Sequence, residues 1–393
     1  MQRWLCAAVV MLAACGGSSG DLPVPNADCE TDGDVAFICG VINPEDVIAI
    51  PDTSFIVASG YGGGGGIHFI SHRDRTRLQV YPTPNPRLRH DADAYPDCPG
   101  PIDPAEGDQF NAHGLNLRLV EEGLYHLYVV HHGFRESIEI FEIDTRYQGA
   151  VSVSPTPGFA WIGCVVAPES MTLNSVSPLP GGGFVATAPF VPAGYVPPGA
   201  ADGDDEADGE EAADGDETAA AAEPAAPEDI DIAGSYGVVW EWSPAGGWSI
   251  VPGSESAGPN GIEASADGEW LYVNLWAGRQ VLRLSRGRDP VETQTAELAF
   301  HPDNIRWQAD GTLLTAGHDA PDLLARILEC IEARCDGMSS HVARVDPDTL
   351  AVTDVVDEPA TEDFFTATAA LQVNDEIWVG SVRGDRIALY PAQ

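Results

Sequence analysis

His113 and His132 flank the dipeptide Glu122-Gly123 at equal distances, and both sit at the outer ends of β-prone runs. A hairpin turning at Glu122-Gly123 sets His113 opposite His132 on one face. Side chains alternate across a strand, so His131 belongs on the other face and only one of the pair His131-His132 joins the dyad. One imidazole can take a proton from water near neutral pH while a second orients it. Oxygen-bearing side chains recur at comparable places elsewhere, namely Glu45, Asn174, Asn260, Asp303 and Asn304. If they converge, two carboxylates and three amides form a hard donor set suited to Ca2+, which takes about 6 to 8 oxygens. Zinc would call for His or Cys. An ion of that kind beside a histidine dyad polarises the carbonyl of an ester or lactone, which is the chemistry of a metal-assisted hydrolytic site. His318, after Thr315-Ala316-Gly317, is a further candidate for the pocket wall.

Convergence needs a scaffold, and the chain repeats one plan six times. Each unit has a polar leading residue, a short apolar strand, a Gly- or Asp-containing turn, a second apolar strand and two further strand-like runs. The units start at Glu45, His113, Asn174, Asn260, Asp303 and near Ala367, with turns such as Ala266-Asp267-Gly268 and Ala309-Asp310-Gly311 at matching offsets. This pattern predicts an all-β fold, a six-bladed β-propeller over residues 29–393, whose innermost strands bring the leading residues to one channel. Two insertions interrupt it. Residues 199–231, rich in Asp, Glu, Ala and Gly, have too little apolar surface to offset their ordering entropy and are expected to be disordered. Residues 319–338 carry Leu323, Leu324, Ile327, Leu328 and Ile331 at helical spacing, a short helical insertion. The run Gly62-Gly63-Gly64-Gly65-Gly66 lacks the Lys and Ser/Thr of a phosphate loop and reads as a hairpin connection.

Arg3, the apolar run that follows and Leu12-Ala13-Ala14-Cys15 read as an export signal over residues 1–14. About a dozen apolar residues fall short of the roughly 20 needed to span a bilayer. The Leu-Ala-Ala-Cys end resembles a bacterial lipobox, which implies acylation of Cys15 and a flexible tether over residues 15–28, so that the protein sits lipid-anchored at the cell envelope. Six cysteines then remain, an even number that favours disulfides in an exported chain. Closeness in sequence pairs Cys29 with Cys39 and Cys330 with Cys335, leaving Cys98 for Cys164. A net charge of −42 argues against nucleic acid and against a polybasic membrane contact. The expected partners are a small lactone or ester and, through the lipid, a membrane; no protein partner is predicted.

Taken in order, Asn111-Ala112-His113-Gly114-Leu115, Leu127-Tyr128-Val129-Val130-His131-His132 and Ser137-Ile138-Glu139-Ile140-Phe141 resemble motifs of the paraoxonase/arylesterase family. Pro44-Glu45-Asp46, Leu173-Asn174, Pro259-Asn260-Gly261-Ile262 and Asp303-Asn304-Ile305 are similar to its other motifs. The resemblance covers about residues 40–390. It implies a six-bladed propeller, a catalytic calcium at Glu45, Asn174, Asn260, Asp303 and Asn304, a dyad of His113 and His132, and hydrolysis of lactones with promiscuous arylesterase activity. It also implies a second, structural calcium on Asp46, the carbonyl of Leu115 and an Asp at the place where this chain has Ser175. The family ties its N-terminal segment to the last strand by a disulfide, yet no Cys follows Cys335, so ring closure here must rest on strand pairing. Gluconolactonase-like propellers share the Glu/Asn/Asp ligands without the histidine pair and imply a sugar lactonase instead. A non-catalytic propeller stabilised by calcium is the contrasting expectation.

Overall fold

The computed structural model describes residues 24–25, 29, 31–62, 64–102, 110–146, 156–169, 171–190, 236–321, 323, 326 and 337–392. The export signal, Cys15, the acidic tract, Cys330, Cys335 and most of the helical insertion lie outside these residues. Six antiparallel sheets of four or five strands make the six blades of the propeller, and five of them hold four strands in sequence-adjacent order. Their innermost strands are Pro44–Ala49, Phe110–Glu121, Val176–Pro178, Pro259–Ala264, His301–Trp307 and Ala367–Val373. Blade 1 gains a short fifth strand where Val24–Pro25 pairs with Arg77 and Thr76. Blade 6 takes its outermost strand, Ala36–Cys39, from the N-terminal side of the ring, pairing Ala36 with Leu389 and Cys39 with Arg386. Ring closure therefore rests on strand pairing, as the missing C-terminal cysteine required.

Position in the ring sets polarity. The strand Pro259–Ala264 is buried throughout, whereas the outer strand Thr293–Glu297 is mostly exposed. Apolar side chains of inner and middle strands pack between blades. Ile262, Leu271 and Val273 meet Val185 and Val239 of the preceding blade, and Phe110 and Phe141 pack at 4.7 and 5.0 Å from Tyr81 of blade 1. The repeated Asp-Gly turns close as the sequence implies. Asp310 Oδ1 accepts from Thr312 N at 2.9 Å, and Asp267 Oδ1 from Glu269 N at 3.0 Å. Disulfides join Cys29 to Cys39 and Cys98 to Cys164, with Cα separations of 5.7 and 5.2 Å.

The expected register around His113 needs correction. His132 pairs with Asn111, and Leu115 pairs with Val129; one-residue bulges lie between Ala112 and Leu115 and between Leu119 and Glu121. His113 thus sits inside a bulge, not opposite His132. Bulges recur on the inner strands between Pro44 and Val47, Pro259 and Ile262, Pro302 and Ile305, and Ala367 and Ala369. Blade 3 does the same just before its strand: Asn174 N donates to Thr187 O at 2.9 Å while Thr187 N donates to Ser175 O at 3.0 Å. A bulge sets two residues against one and re-aims their side chains. Every candidate oxygen ligand, and His113, lies in one of these irregularities.

Candidate functional site

The bulged segments are locked to one another around the channel through the backbone carbonyls of the candidate ligands. Asn174 O accepts from Gly114 N at 3.1 Å, Asp303 O from Asn274 Nδ2 at 2.8 Å, and Glu45 O from Thr368 Oγ1 at 2.6 Å. Asn260 O accepts from Thr187 Oγ1. Each donor belongs to a neighbouring blade, so the ligand positions are set by blade packing. The approach is close enough to exclude a side chain at two points. A Cβ on Gly114 would lie 2.6 Å from Asn174 O, and one on Gly261 would lie 2.5 Å from Asp303 O.

Glu45, Asn174, Asn260, Asp303 and Asn304 are all buried, and His113 lies between Glu45 and Asn174. Asn304 Nδ2 donates to Glu45 Oε1 at 2.6 Å, and an Asn260 side-chain bond reaches Asp303. Glu45 Oε2, Asn174 Oδ1, Asn260 Oδ1 and Asn304 Oδ1 have no hydrogen-bond partner. A buried polar atom left unpaired costs about 1–3 kcal/mol, so four orphaned oxygens are costly unless something binds them. Burial pushes the Glu45 carboxyl well above its ordinary range, and Asp303 and Asp46 repel it further. Burial and Asp46 raise Asp303 likewise. Asp46 and Glu263 are buried as well and share the guanidinium of Arg306, so when these four carboxylates are all ionised three negative charges exceed that one positive charge. Excess negative charge and orphaned hard oxygens fit a divalent cation of the calcium type. Among the described residues no three His, Cys, Asp or Glu side chains form such a group. Three of the five candidate donors are amides.

His113 and His132 meet beside these oxygens, with His113 Nδ1 2.8 Å from His132 Nε2. The contact exists because the bulge turns His113 into the channel. His131, one residue before His132, is buried on the opposite face, its ring 4.9 Å from Phe110 and its Nδ1 2.9 Å from Arg135 O. The far side of the dyad holds a residue the motif reading missed. Glu136 Oε2 lies 2.8 Å from His132 Nδ1, and Glu136 Oε1 accepts from Leu173 N at 2.7 Å. The sequence signal was available in His132-Gly133-Phe134-Arg135-Glu136, since a tight turn after a strand can return a carboxylate to the imidazole.

These partners set the tautomers. Ionised Glu136 can only accept, so His132 carries its proton on Nδ1 and presents Nε2 as an acceptor. His113 then donates from Nδ1, and its Nε2 lone pair faces the oxygen cluster, 3.7 Å from Glu45 Oε1 and 3.5 Å from Asn174 Nδ2. Burial, reinforced by His132, holds His113 well below the usual imidazole range. Tyr61 covers the pair, its ring 4.6 Å from that of His113 and 6.1 Å from that of His132. It is placed by the glycine-rich hairpin connection, which Gly62 N pins to Asn111 Oδ1 at 2.6 Å. His318 is committed elsewhere: its Nδ1 is 3.1 Å from Ala367 O, and its Nε2 accepts from Trp276 Nε1 at 3.1 Å. It braces blades 4, 5 and 6.

The groups that the resemblance implies for a second cation meet a side chain of the protein itself. Arg306 donates through Nη2 to both Asp46 Oδ2 and the Leu115 carbonyl, the two groups expected to hold that ion. Burial pushes the Asp46 carboxyl above its ordinary range, against the opposing pull of Arg306 and of the Leu115 and Val47 amides.

No protein-family model matches the sequence, and no curated protein matches it. Among solved structures the chain is similar to a gluconolactonase from Xanthomonas campestris, at 14% identity over 95% of this chain and 98% of that one, with a TM-score of 0.47. It is also similar to a luciferin-regenerating enzyme, at 10% identity over 93% and 94% with a TM-score of 0.49. A virginiamycin B lyase from Staphylococcus aureus aligns at 9% identity over 90% and 98%, with a TM-score of 0.44.

Proposed function

We propose that this protein is a calcium-dependent hydrolase of lactones and aryl esters. The observation that carries the reading is the chain Glu136, His132, His113, which sets a ring nitrogen of His113 beside the buried oxygens. Calcium held by Glu45, Asn174, Asn260, Asp303 and Asn304 would supply Lewis acidity at the substrate carbonyl. His113 Nε2 takes the proton of a water that attacks that carbonyl. His132 and Glu136 hold the resulting imidazolium, since the proton already on His113 Nδ1 stays hydrogen-bonded to His132 Nε2. The Nε2 proton then passes to the leaving oxygen as the acyl–oxygen bond breaks, which returns His113 to its starting state. Asn174, with Nδ2 3.5 Å from His113 Nε2, and Asn260 lie where they can steady charge developing on the carbonyl oxygen. The Tyr61 ring shields the dyad from bulk water. The lipobox-like segment supports the further proposal that acylated Cys15 holds this hydrolase at the envelope surface.

The test is turnover of phenyl acetate and a panel of aliphatic and sugar lactones by the chain from residue 16 onward, with and without chelator. Chelator-sensitive hydrolysis that His113→Gln abolishes without loss of fold is the expected result. Silence on the whole panel, with calcium still raising the melting temperature, would replace the hydrolase with a binding propeller.

A further inference from the structure

Arg306 is among the largest fully buried side chains of the molecule, and its surroundings are those of a bound cation. From blade 5 its guanidinium reaches Asp46 on blade 1, the Leu115 carbonyl on blade 2 and Glu263 Oε1 on blade 4, the last at 3.1 Å. Its carboxylate partners are otherwise held by neutral donors. Asp46 Oδ2 accepts from Leu115 N at 2.8 Å, and Glu263 Oε2 from Asn116 Nδ2 at 3.1 Å. Two carboxylates and a carbonyl converging from three blades form a cation cradle, and the charge in it is covalently part of the chain. The position also matters. Asp46 adjoins Glu45, Leu115 lies two residues past His113, and Arg306 lies two past Asn304.

We propose that Arg306 is a built-in replacement for a structural metal ion, a positioning residue that ties the inner strands of blades 1, 2, 4 and 5 together beneath the candidate site. A guanidinium stays protonated and cannot dissociate, unlike a bound ion. Its fixed fork can also serve the carbonyl and the two carboxylates at once. Removing it would leave two buried carboxylates without a counter-charge, which is among the most destabilising changes a core can suffer. The vacated cradle would then become a calcium site made of Asp46, Glu263 and the Leu115 carbonyl.

The experiment compares the full chain with Arg306→Ala, Arg306→Gln and Arg306→Lys by calcium stoichiometry and by thermal melting in chelator and in millimolar calcium. Relative to whatever the wild type binds, Arg306→Ala is expected to take up one additional calcium. Its melting temperature is expected to fall in chelator by roughly 10 °C or more and to recover most of that loss in calcium. Arg306→Lys keeps the wild-type ion count. These are differences from wild type in binding and stability, so they stand apart from whether the protein hydrolyses anything. An unchanged ion count in Arg306→Ala with calcium-independent melting would overturn the proposal. If Arg306→Ala does not fold, the other two variants decide. A folded Lys variant beside a Gln variant that folds only with calcium, or not at all, supports a charge requirement, whereas Lys and Gln variants behaving alike refute it.

Discussion

Glu136→Gln tests the relay with a nearly isosteric change. The structure dictates how the new amide must sit. Leu173 N donates to Glu136 Oε1 at 2.7 Å, so the amide oxygen takes that side and its NH2 group faces His132 Nδ1, 2.8 Å from the present Oε2. An NH2 group donates, which forces His132 Nδ1 to become an acceptor and moves the His132 proton to Nε2. His132 Nε2 then donates to His113 Nδ1 across their 2.8 Å contact, and the His113 proton shifts to Nε2. The lone pair facing the oxygen cluster disappears. Restoring the working tautomers leaves a mismatched pair at the introduced amide at a cost of about 1–3 kcal/mol. At about 1.4 kcal/mol per decade that is roughly a 5- to 150-fold loss in kcat. If the loss is that of an entire general base, the fall is about 10²- to 10⁴-fold. The side chain is partly exposed, so calcium binding and melting temperature should stay close to wild type. The assay is kcat for phenyl acetate at saturating calcium, with a melt and a calcium titration on the same sample. A kcat within about twofold of wild type, in a protein that His113→Gln inactivates, would refute the relay.

Two further outcomes follow from packing and from buried charge. Gly114→Ala places a Cβ against Asn174 O and the Ser175 backbone, so it should force blades 2 and 3 apart; we expect a loss of about 1–3 kcal/mol in stability by denaturant melts together with a marked fall in turnover, and full activity would show that the contact is slack. His68 is buried with neither ring nitrogen hydrogen-bonded, and burial, aided by Arg77, lowers its pKa from 6.5 to about 4. The unfolded chain therefore takes up a proton near pH 6.5 while the folded chain resists until about pH 4, so this contribution is intact above pH 6.5 and is lost as pH falls through that window. His68→Leu should flatten the acid limb of the stability curve by up to about 3 kcal/mol, and parallel curves for the two proteins would contradict the assignment.

The six repeats, the Asp-Gly turns and the 29–39 disulfide were legible in the sequence because each depends on residues near one another or on periodic patterning, whereas the 98–164 disulfide followed only as the pair left over. The polar residues that lead the apolar inner strands, the two histidines among them, also stood out, because a polar side chain at the head of an apolar strand breaks the pattern. What the sequence could not determine was register. Strict alternation set His113 against His132, but the structure reaches the same neighbours through bulges that the interlocking of adjacent blades imposes. Glu136 escaped notice because a carboxylate four residues past a histidine is unremarkable until a turn folds it back. The fate of the second cation site was least visible of all. Asp46 and Arg306 are 260 residues apart, and only closure of the ring brings that guanidinium to the carboxylate. Local pattern thus determined the blades and which residues lead their inner strands. Long-range packing across the channel decided which of those residues meet and that Arg306 lies against Asp46.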